Sequence, residues 1–338
     1  MVDALGEPLL VVEDLHVEFD TGGRTVEAVS GVSLEVRPGE TVAVVGESGS
    51  GKSVTAMAVL DLLGNGRVSS GRVVWDGRDI TNAGTEVMRD IRGNDISIIF
   101  QDPMTSLDPL FTIGSQLGEA LRLHQKLSRK QARARAVELL GQVGIPDPAA
   151  KVDAYPHQLS GGQRQRVMIT GALACEPRLL IADEPTTALD VTVEAQVLNL
   201  IRTLQRDTGV ALMLITHDMG VVAEMADRVV VFYAGYVVEA GTAAEVLENP
   251  QHPYTQALLR AIPRPDTPRD APMPAIPGVV PSLDEMPTGC RFVTRCPLAT
   301  DTCRNEPQQL RLVAGREVRC WRAGQPVEPV PALTEVAP

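Results

Sequence analysis

Aromatic side chains are scarce. They make up 3% of the 338 residues, which argues against a platform that stacks nucleic-acid bases. An excess of basic charge is also missing. With 31 Lys and Arg against 43 Asp and Glu, the formal net charge is −12, which disfavours broad nonspecific affinity for nucleic acid. No apolar run approaches the roughly 20 residues that cross a bilayer as a helix. The opening MVDALGEPLL has neither a basic n-region nor a long apolar h-region, so no signal peptide is read there. These absences predict a cytoplasmic protein, with any membrane role carried by partner subunits. Five cysteines include no C-x₂-C pair, which disfavours a zinc ribbon. Four of them crowd the C-terminal end, and in a reducing cytosol that clustering points to metal rather than to disulfides.

What is present starts from 44% apolar content, ordinary for a soluble globular chain long enough for one core and a second domain. The run Gly46-Glu47-Ser48-Gly49-Ser50-Gly51-Lys52-Ser53 reads G-x-x-x-x-G-K-S. Glycines there let backbone N–H groups close around a polyphosphate, Lys52 reaches the outer phosphates, and the Ser53 hydroxyl suits Mg²⁺. Thr41 to Val45, apolar and β-branched, predicts a buried strand feeding the loop. Val54 to Leu63 predicts a helix whose N-terminus favours an anion.

Leu9 to Val12, His16 to Phe19, Val32 to Val36 and Val73 to Trp75 read as a small antiparallel layer. Ile96 to Phe100, Leu179 to Ala182, Ala211 to Ile215 and Val229 to Tyr233 are continuously apolar, as parallel strands covered on both faces are. The class is α/β. Residues 111–158 read as helical, with Ser128 and Gln131 as a capping box and Gly141 or Gly144 closing a helix. Eight prolines between Ile262 and Gly289 mark a linker, and the Pro-rich end reads as disordered. The expected division is a nucleotide-binding domain over 1–261 with a helical subdomain at about 103–170, a linker over 262–288, a Cys-rich region over 289–321 and a tail over 322–338.

Two further motifs carry chemistry. The strand Leu179-Leu180-Ile181-Ala182 ends in Asp183-Glu184. Asp183 suits Mg²⁺ through water, and Glu184 can polarise an attacking water, a sufficient set for phosphoryl transfer. Leu159-Ser160-Gly161-Gly162-Gln163 opens a helix with a hydroxyl and free N–H groups, which reads either as an anion site or as a plain helix cap.

The order of GESGSGKS, Gln101, LSGGQ, LLIADE, Ala188-Leu189-Asp190 and His217 resembles the ATP-binding subunits of ATP-binding-cassette (ABC) transporters over roughly residues 9–260. The resemblance implies a P-loop NTPase fold: a RecA-like core, an antiparallel β layer and an inserted helical subdomain. Gly46 to Ser53 becomes the Walker A loop. Ser53, Gln101 and Asp183 become the Mg²⁺ set, Glu184 the general base and His217 the γ-phosphate switch. Ser160 to Gln163 would bind ATP held by an opposite subunit, and Asp190 lies in a loop coupling the two sites. Phe19 is the candidate to stack on adenine, with a core role as its alternative. The implied cycle is head-to-tail dimerisation, closure on ATP and reopening on hydrolysis, coupled to two transmembrane permease subunits. A soluble cassette ATPase acting on DNA or ribosomes is the competing class. The acidic charge and the lack of a second cassette or long coiled-coil insertion weigh against it.

Within that family the chain is similar to the dipeptide and oligopeptide importers. The similarity rests on FQDPMTSLDP at 100–109, the run from Asn249-Pro250 to His252-Pro253-Tyr254-Thr255-Gln256-Ala257-Leu258, and the tail with Cys290, Cys296, Cys303 and Cys320. It implies peptide cargo delivered by an extracytoplasmic binding protein, with nickel or another solute as the alternative. It also implies a second, related cassette as partner. The cysteine spacing leaves zinc, a 4Fe–4S cluster or no metal open; the family tail implies the cluster. Its expected role is structural, folding a coreless extension able to dock on the partner cassette. Cys175 reads as core.

Overall fold

Two sheets organise the computed structural model, which describes residues 6–101, 106–187, 190–262 and 275–323. Asp102 to Thr105, Ala188, Leu189, residues 263–274 of the proline-rich linker and the tail from 324 onward lie outside the described residues.

The smaller sheet is antiparallel. It comprises β1 (Leu10–Thr21), β2 (Arg24–Val36), β4 (Gly66–Trp75) and β5 (Arg78–Asp79), in the order β2-β1-β4-β5. The two expected pieces Leu9 to Val12 and His16 to Phe19 are one strand. Its pairing with β2 slips between Val12 and Leu15, where Asp14 takes φ 46°. Across the bulge Gly71 has φ 90°, and a Cβ there would run into the Asp14 carbonyl. Glycine is required at that close approach. Leu10, Val12, Leu15 and Val17 are buried by this irregular alternation.

The larger sheet holds β3 (Thr41–Val45), β6 (Ile96–Ile99), β7 (Leu179–Asp183), β8 (Ala211–Thr216), β9 (Arg228–Tyr233), β10 (Tyr236–Thr242), β11 (Arg311–Val313) and β12 (Arg316–Val318). Its order is β11-β12-β10-β9-β3-β8-β7-β6. From β6 to β9 all neighbours are parallel, and every residue of β3, β7 and β8 is buried. Burial on both faces is why these strands read as unbroken apolar runs. Parallel register also puts their C-terminal ends on one edge: Val45 pairs Thr216, and Asp183 pairs Ile215. Gly46, Glu184 and His217 each follow directly on that edge.

The helix after the loop spans Lys52–Val59, shorter than the expected Val54 to Leu63, and it ends before Asp61 at φ 50°. Helices Ile113–His124, Arg129–Gln142 and Gly161–Leu173 share a core through Ile113, Leu117, Ala136, Leu140, Val167 and Ile169. The Ser128–Gln131 capping box forms. Gly144, with φ 72°, follows the helix end, whereas Gly141 sits inside the helix. Among the described residues no helix is long and apolar enough to cross a membrane.

The Cys-rich segment departs from the expectation of a coreless extension. Its hairpin β11–β12 continues the large sheet through β10. Phe292 is 2% exposed and packs edge-on against Tyr233 and Tyr254, with ring centroids 5.1 and 5.4 Å away. Its core is thus shared with its own cassette. One aromatic anchor and a sheet edge supply what so short a segment cannot build alone.

Candidate functional site

The phosphate loop leaves β3 at Gly46, where a Cβ would collide with the Phe232 carbonyl. That contact confines position 46 to glycine and seats the loop on the β9 end. Lys52 is 5% exposed, and its ammonium donates to the carbonyls of Gly46 at 2.7 Å and Glu47 at 3.0 Å. Burial lowers its pKa, while Glu184, Asp183 and Glu47 pull it back up. The ammonium is held inside the loop by carbonyls that a polyphosphate would replace with full negative charge.

Asp183 is 7% exposed, and burial raises its pKa; the Ser53 hydroxyl facing its carboxylate works the other way. Its Oδ1 has no hydrogen-bond partner among the described residues. A buried, unpaired carboxylate oxygen beside a hydroxyl is costly unless a cation completes it. The hard oxygen donors of Ser53 and Asp183 fit Mg²⁺.

Glu184 gathers the other predicted groups. Gln101 Nε2 donates to its Oε2 at 2.8 Å, Thr187 Oγ1 donates to the same oxygen at 2.9 Å, and His217 Nδ1 lies 3.3 Å from Oε1. Glu184 itself has φ 47°, a left-handed conformation rare outside glycine, fixed by its N–H bonding the Ile215 carbonyl at 2.9 Å. Gln101, Glu184 and His217 are thereby joined from three strand ends far apart in sequence. Thr187 was not foreseen; only its place three residues after Glu184 could have signalled it.

Other predicted residues lie apart from this group. Ser160 caps the helix Gly161–Leu173 by exchanging bonds with Gln163, 3.3 Å from Gln163 N–H to Ser160 Oγ and 3.1 Å back. Ser160 and Gly161 are exposed, with Gly162 half-buried. The Asp190 carboxylate accepts the N–H groups of Thr192 and Val193, capping the helix Val191–Thr208. Phe19 is half-buried in β1, its ring over Gly66 and packed on the core.

Sequence reasoning missed what the C-terminal segment does at the loop. Arg295 forks onto Glu47, and the Tyr254 hydroxyl accepts the Glu47 N–H at 2.9 Å. Arg291 donates to the Ala234 carbonyl and, at 2.9 Å, to Ser30 Oγ, with its guanidinium 3.6 Å from the Tyr236 ring centre. The run containing Tyr254 was visible, but these partners were not.

Cys290, Cys296, Cys303 and Cys320 line one cavity with His252 and Phe292, partly open to solvent. Burial pushes the Cys290 thiol up to about 12 and Cys296 to about 11, with the neighbouring thiols adding to both. Among the described residues no three His, Cys, Asp or Glu side chains are grouped tightly enough to share one metal ion. Cys175 lies elsewhere, buried just past the helix Gly161–Leu173, as expected for core.

Known proteins match this arrangement. The family described as ABC transporter matches residues 29–187, and the oligopeptide/dipeptide transporter C-terminal region matches 238–303. The dipeptide transport ATP-binding protein DppD of Bacillus subtilis is 50% identical over 325 residues, 95% of this chain and 97% of that protein. Its Escherichia coli namesake is 49% identical over 314 residues, 92% and 96% of the two chains. Among solved structures, the dimeric ATP-binding cassette MJ0796 bound to ADP and Pi gives a TM-score of 0.62 at 28% identity, covering 69% of this chain and 98% of its own. CbiO1 of Clostridium perfringens gives 0.60 at 30% identity, covering 72% and 92%. Fold and site together define an ATP-hydrolysing cassette, an enzyme that binds ATP with Mg²⁺. The chain belongs to the ATP-binding subunits of ABC transporters, in the oligopeptide/dipeptide transporter family.

Proposed function

We propose that this chain hydrolyses ATP to energise import of dipeptides or oligopeptides through two transmembrane permease subunits, fed by an extracytoplasmic binding protein. The observation that carries the hydrolytic reading is the convergence of Gln101, Thr187 and His217 on Glu184, beside Lys52 and Asp183. In this reading Lys52 and the loop N–H groups hold the β- and γ-phosphates. Ser53, Gln101 and Asp183 hold Mg²⁺, which when bound neutralises charge on the phosphates. Glu184 takes the proton of the attacking water, and His217 bonds the γ-phosphate. Gln101 and Thr187 on Oε2 and His217 beside Oε1 orient the Glu184 carboxylate, whose remaining lone pair can accept the water. The peptide cargo rests on the names of the relatives.

The exposed Ser160 and Gly161 support a split site completed by a second cassette, a related chain, with Asp190 in the coupling loop. Exposed Phe100, Leu110 and Phe111, at 43%, 78% and 54%, cluster in sequence after β6 and support docking of the permeases, which would hold the chain at the cytoplasmic face of the membrane. Phe19 is retained as the adenine platform. Glu184→Gln is expected to cut turnover at least about 100-fold while ATP binding persists. Near-normal hydrolysis would remove Glu184 from the role of base.

A 4Fe–4S cluster is the second part of the proposal. The support is that four thiols line one cavity, the ligand set a 4Fe–4S cluster takes, in a tail similar to that of the peptide importers. Cys290, Cys296, Cys303 and Cys320 would hold it, iron replacing protons that burial otherwise keeps on the thiols. Its expected role is structural. Anaerobically purified chain should absorb broadly near about 400 nm and contain iron; colourless, iron-free protein refutes the cluster.

A further inference from the structure

One residue of the phosphate loop carries a charge of the wrong sign. Glu47 stands inside G-x-x-x-x-G-K-S, and an unpaired carboxylate there would repel a polyphosphate and compete for Lys52. It is held at three groups. Its carbonyl accepts Lys52 Nζ at 3.0 Å, its N–H donates to the Tyr254 hydroxyl at 2.9 Å, and its carboxylate is forked by Arg295. The fork is bidentate, Nη1 to Oε2 at 2.5 Å and Nη2 to Oε1 at 2.9 Å, the strongest geometry an ion pair takes. The Arg295 side chain is 3% exposed, so water screens the pair weakly. Its Nε donates to the Pro277 carbonyl at 2.8 Å, and its Nη1 lies 3.4 Å from the Tyr233 hydroxyl, which fixes the plane of the fork. Arg295 sits between Phe292, the anchor of the C-terminal segment, and Cys296. The segment's fold therefore decides where the guanidinium stands.

We propose that Arg295, with Tyr254, is a positioning residue for nucleotide binding: it neutralises Glu47 and restrains its carboxylate, so that the C-terminal segment sets the affinity of the phosphate loop for ATP. The inference rests on Gly46–Ser53 being the phosphate site and extends it to a residue 248 positions away. Arg295 acts through Glu47.

The test uses the full chain, with equilibrium binding of a fluorescent ATP analogue and Mg²⁺. Arg295→Ala is expected to weaken binding about tenfold, the scale of one uncompensated charge near a phosphate site. Arg295→Lys keeps the charge without the fork and should lose roughly threefold. Adding Glu47→Gln to either variant should restore most of the loss, because the charge to be neutralised is gone. In steady-state hydrolysis with the permeases, Arg295→Ala should raise the KM for ATP several-fold and change kcat less than about twofold. Wild-type affinity in Arg295→Ala, or a double variant as weak as the single, overturns the proposal. The second result would show that Arg295 acts only by holding the segment folded. If Arg295→Ala does not fold, Arg295→Lys with and without Glu47→Gln decides the same question. A wild-type chain that binds no nucleotide would instead overturn the phosphate-site reading beneath it.

Discussion

The nucleotide edge of the large sheet and the junction between β10 and the C-terminal segment both bury a carboxylate, and they treat it differently. Asp183 at the first has an oxygen with no partner among the described residues. Glu239 at the second is 0% exposed yet accepts the N–H groups of Gln251 at 2.8 Å and His252 at 2.9 Å, with Arg316 Nη1 at 3.8 Å. Burial raises the pKa of both. The difference lies in what completes them. Glu239 is completed by its own chain and so belongs to the architecture; Asp183 is left for something that arrives. Unmet hydrogen-bonding capacity, more than burial or charge, separates a working group from a structural one here.

The contrast can be broken most forcefully at Glu239. Glu239→Ala strands two buried backbone donors and removes the carboxylate beside Arg316, and should cost about 3–5 kcal/mol of stability in urea denaturation. A loss below about 1 kcal/mol would erase the distinction. His252 sharpens it next. Burial pushes its pKa down to about 3, against 6.5 for the ordinary group, and the ring accepts the Tyr254 N–H at 3.1 Å. Below pH 6.5 the unfolded chain takes up a proton that the folded chain refuses. Stability is therefore full above that pH and falls toward pH 3, by up to about 1.4 kcal/mol per unit. Urea midpoints at successive pH values should show this slope, and His252→Asn should flatten it; an unchanged slope places the acid sensitivity elsewhere. The smallest effect is at Asp183. Its pKa is raised, so the ionised form is disfavoured in the fold, and the handicap grows as pH rises through the folded pKa. Asp183→Asn should stabilise the nucleotide-free chain at neutral pH by about 1 kcal/mol, about 2–4 °C in melting temperature, while abolishing Mg²⁺-dependent hydrolysis. A lower melting temperature without Mg²⁺ would mean that Asp183, like Glu239, is structural.

Much of the nucleotide edge was legible beforehand, for a physical reason. Strands buried on both faces are written as unbroken runs such as TVAVV and ALMLI. Parallel register then delivers whatever follows them to one edge, which is how Gln101, Glu184 and His217 meet. The register slip at Asp14, with Gly71 opposite, was not legible, because the bulge splits one strand into two short apolar pieces. Most of β4 was missed for a related reason: none of Gly66 to Gly71 is buried, and the stretch shows no apolar pattern. The Arg295–Glu47 fork left no local trace at all. An ion pair between distant segments has no period and no spacing, and only the packing of Phe292 against Tyr233 and Tyr254 brings it about. Asp190 teaches the reverse lesson. Its cap on the following helix is ordinary local chemistry that the motif's reputation obscured.

The placement of β12 beside β10 has a consequence for the making of the protein. Synthesis runs from the N-terminus, so every nucleotide motif has left the ribosome before Arg316 is added. Until then one side of β10 offers unpaired backbone donors and acceptors to any passing strand. The final short hairpin is the hem of the sheet. A chain that stops early carries a full set of ATP-binding motifs and a frayed border, which invites misassembly and removal.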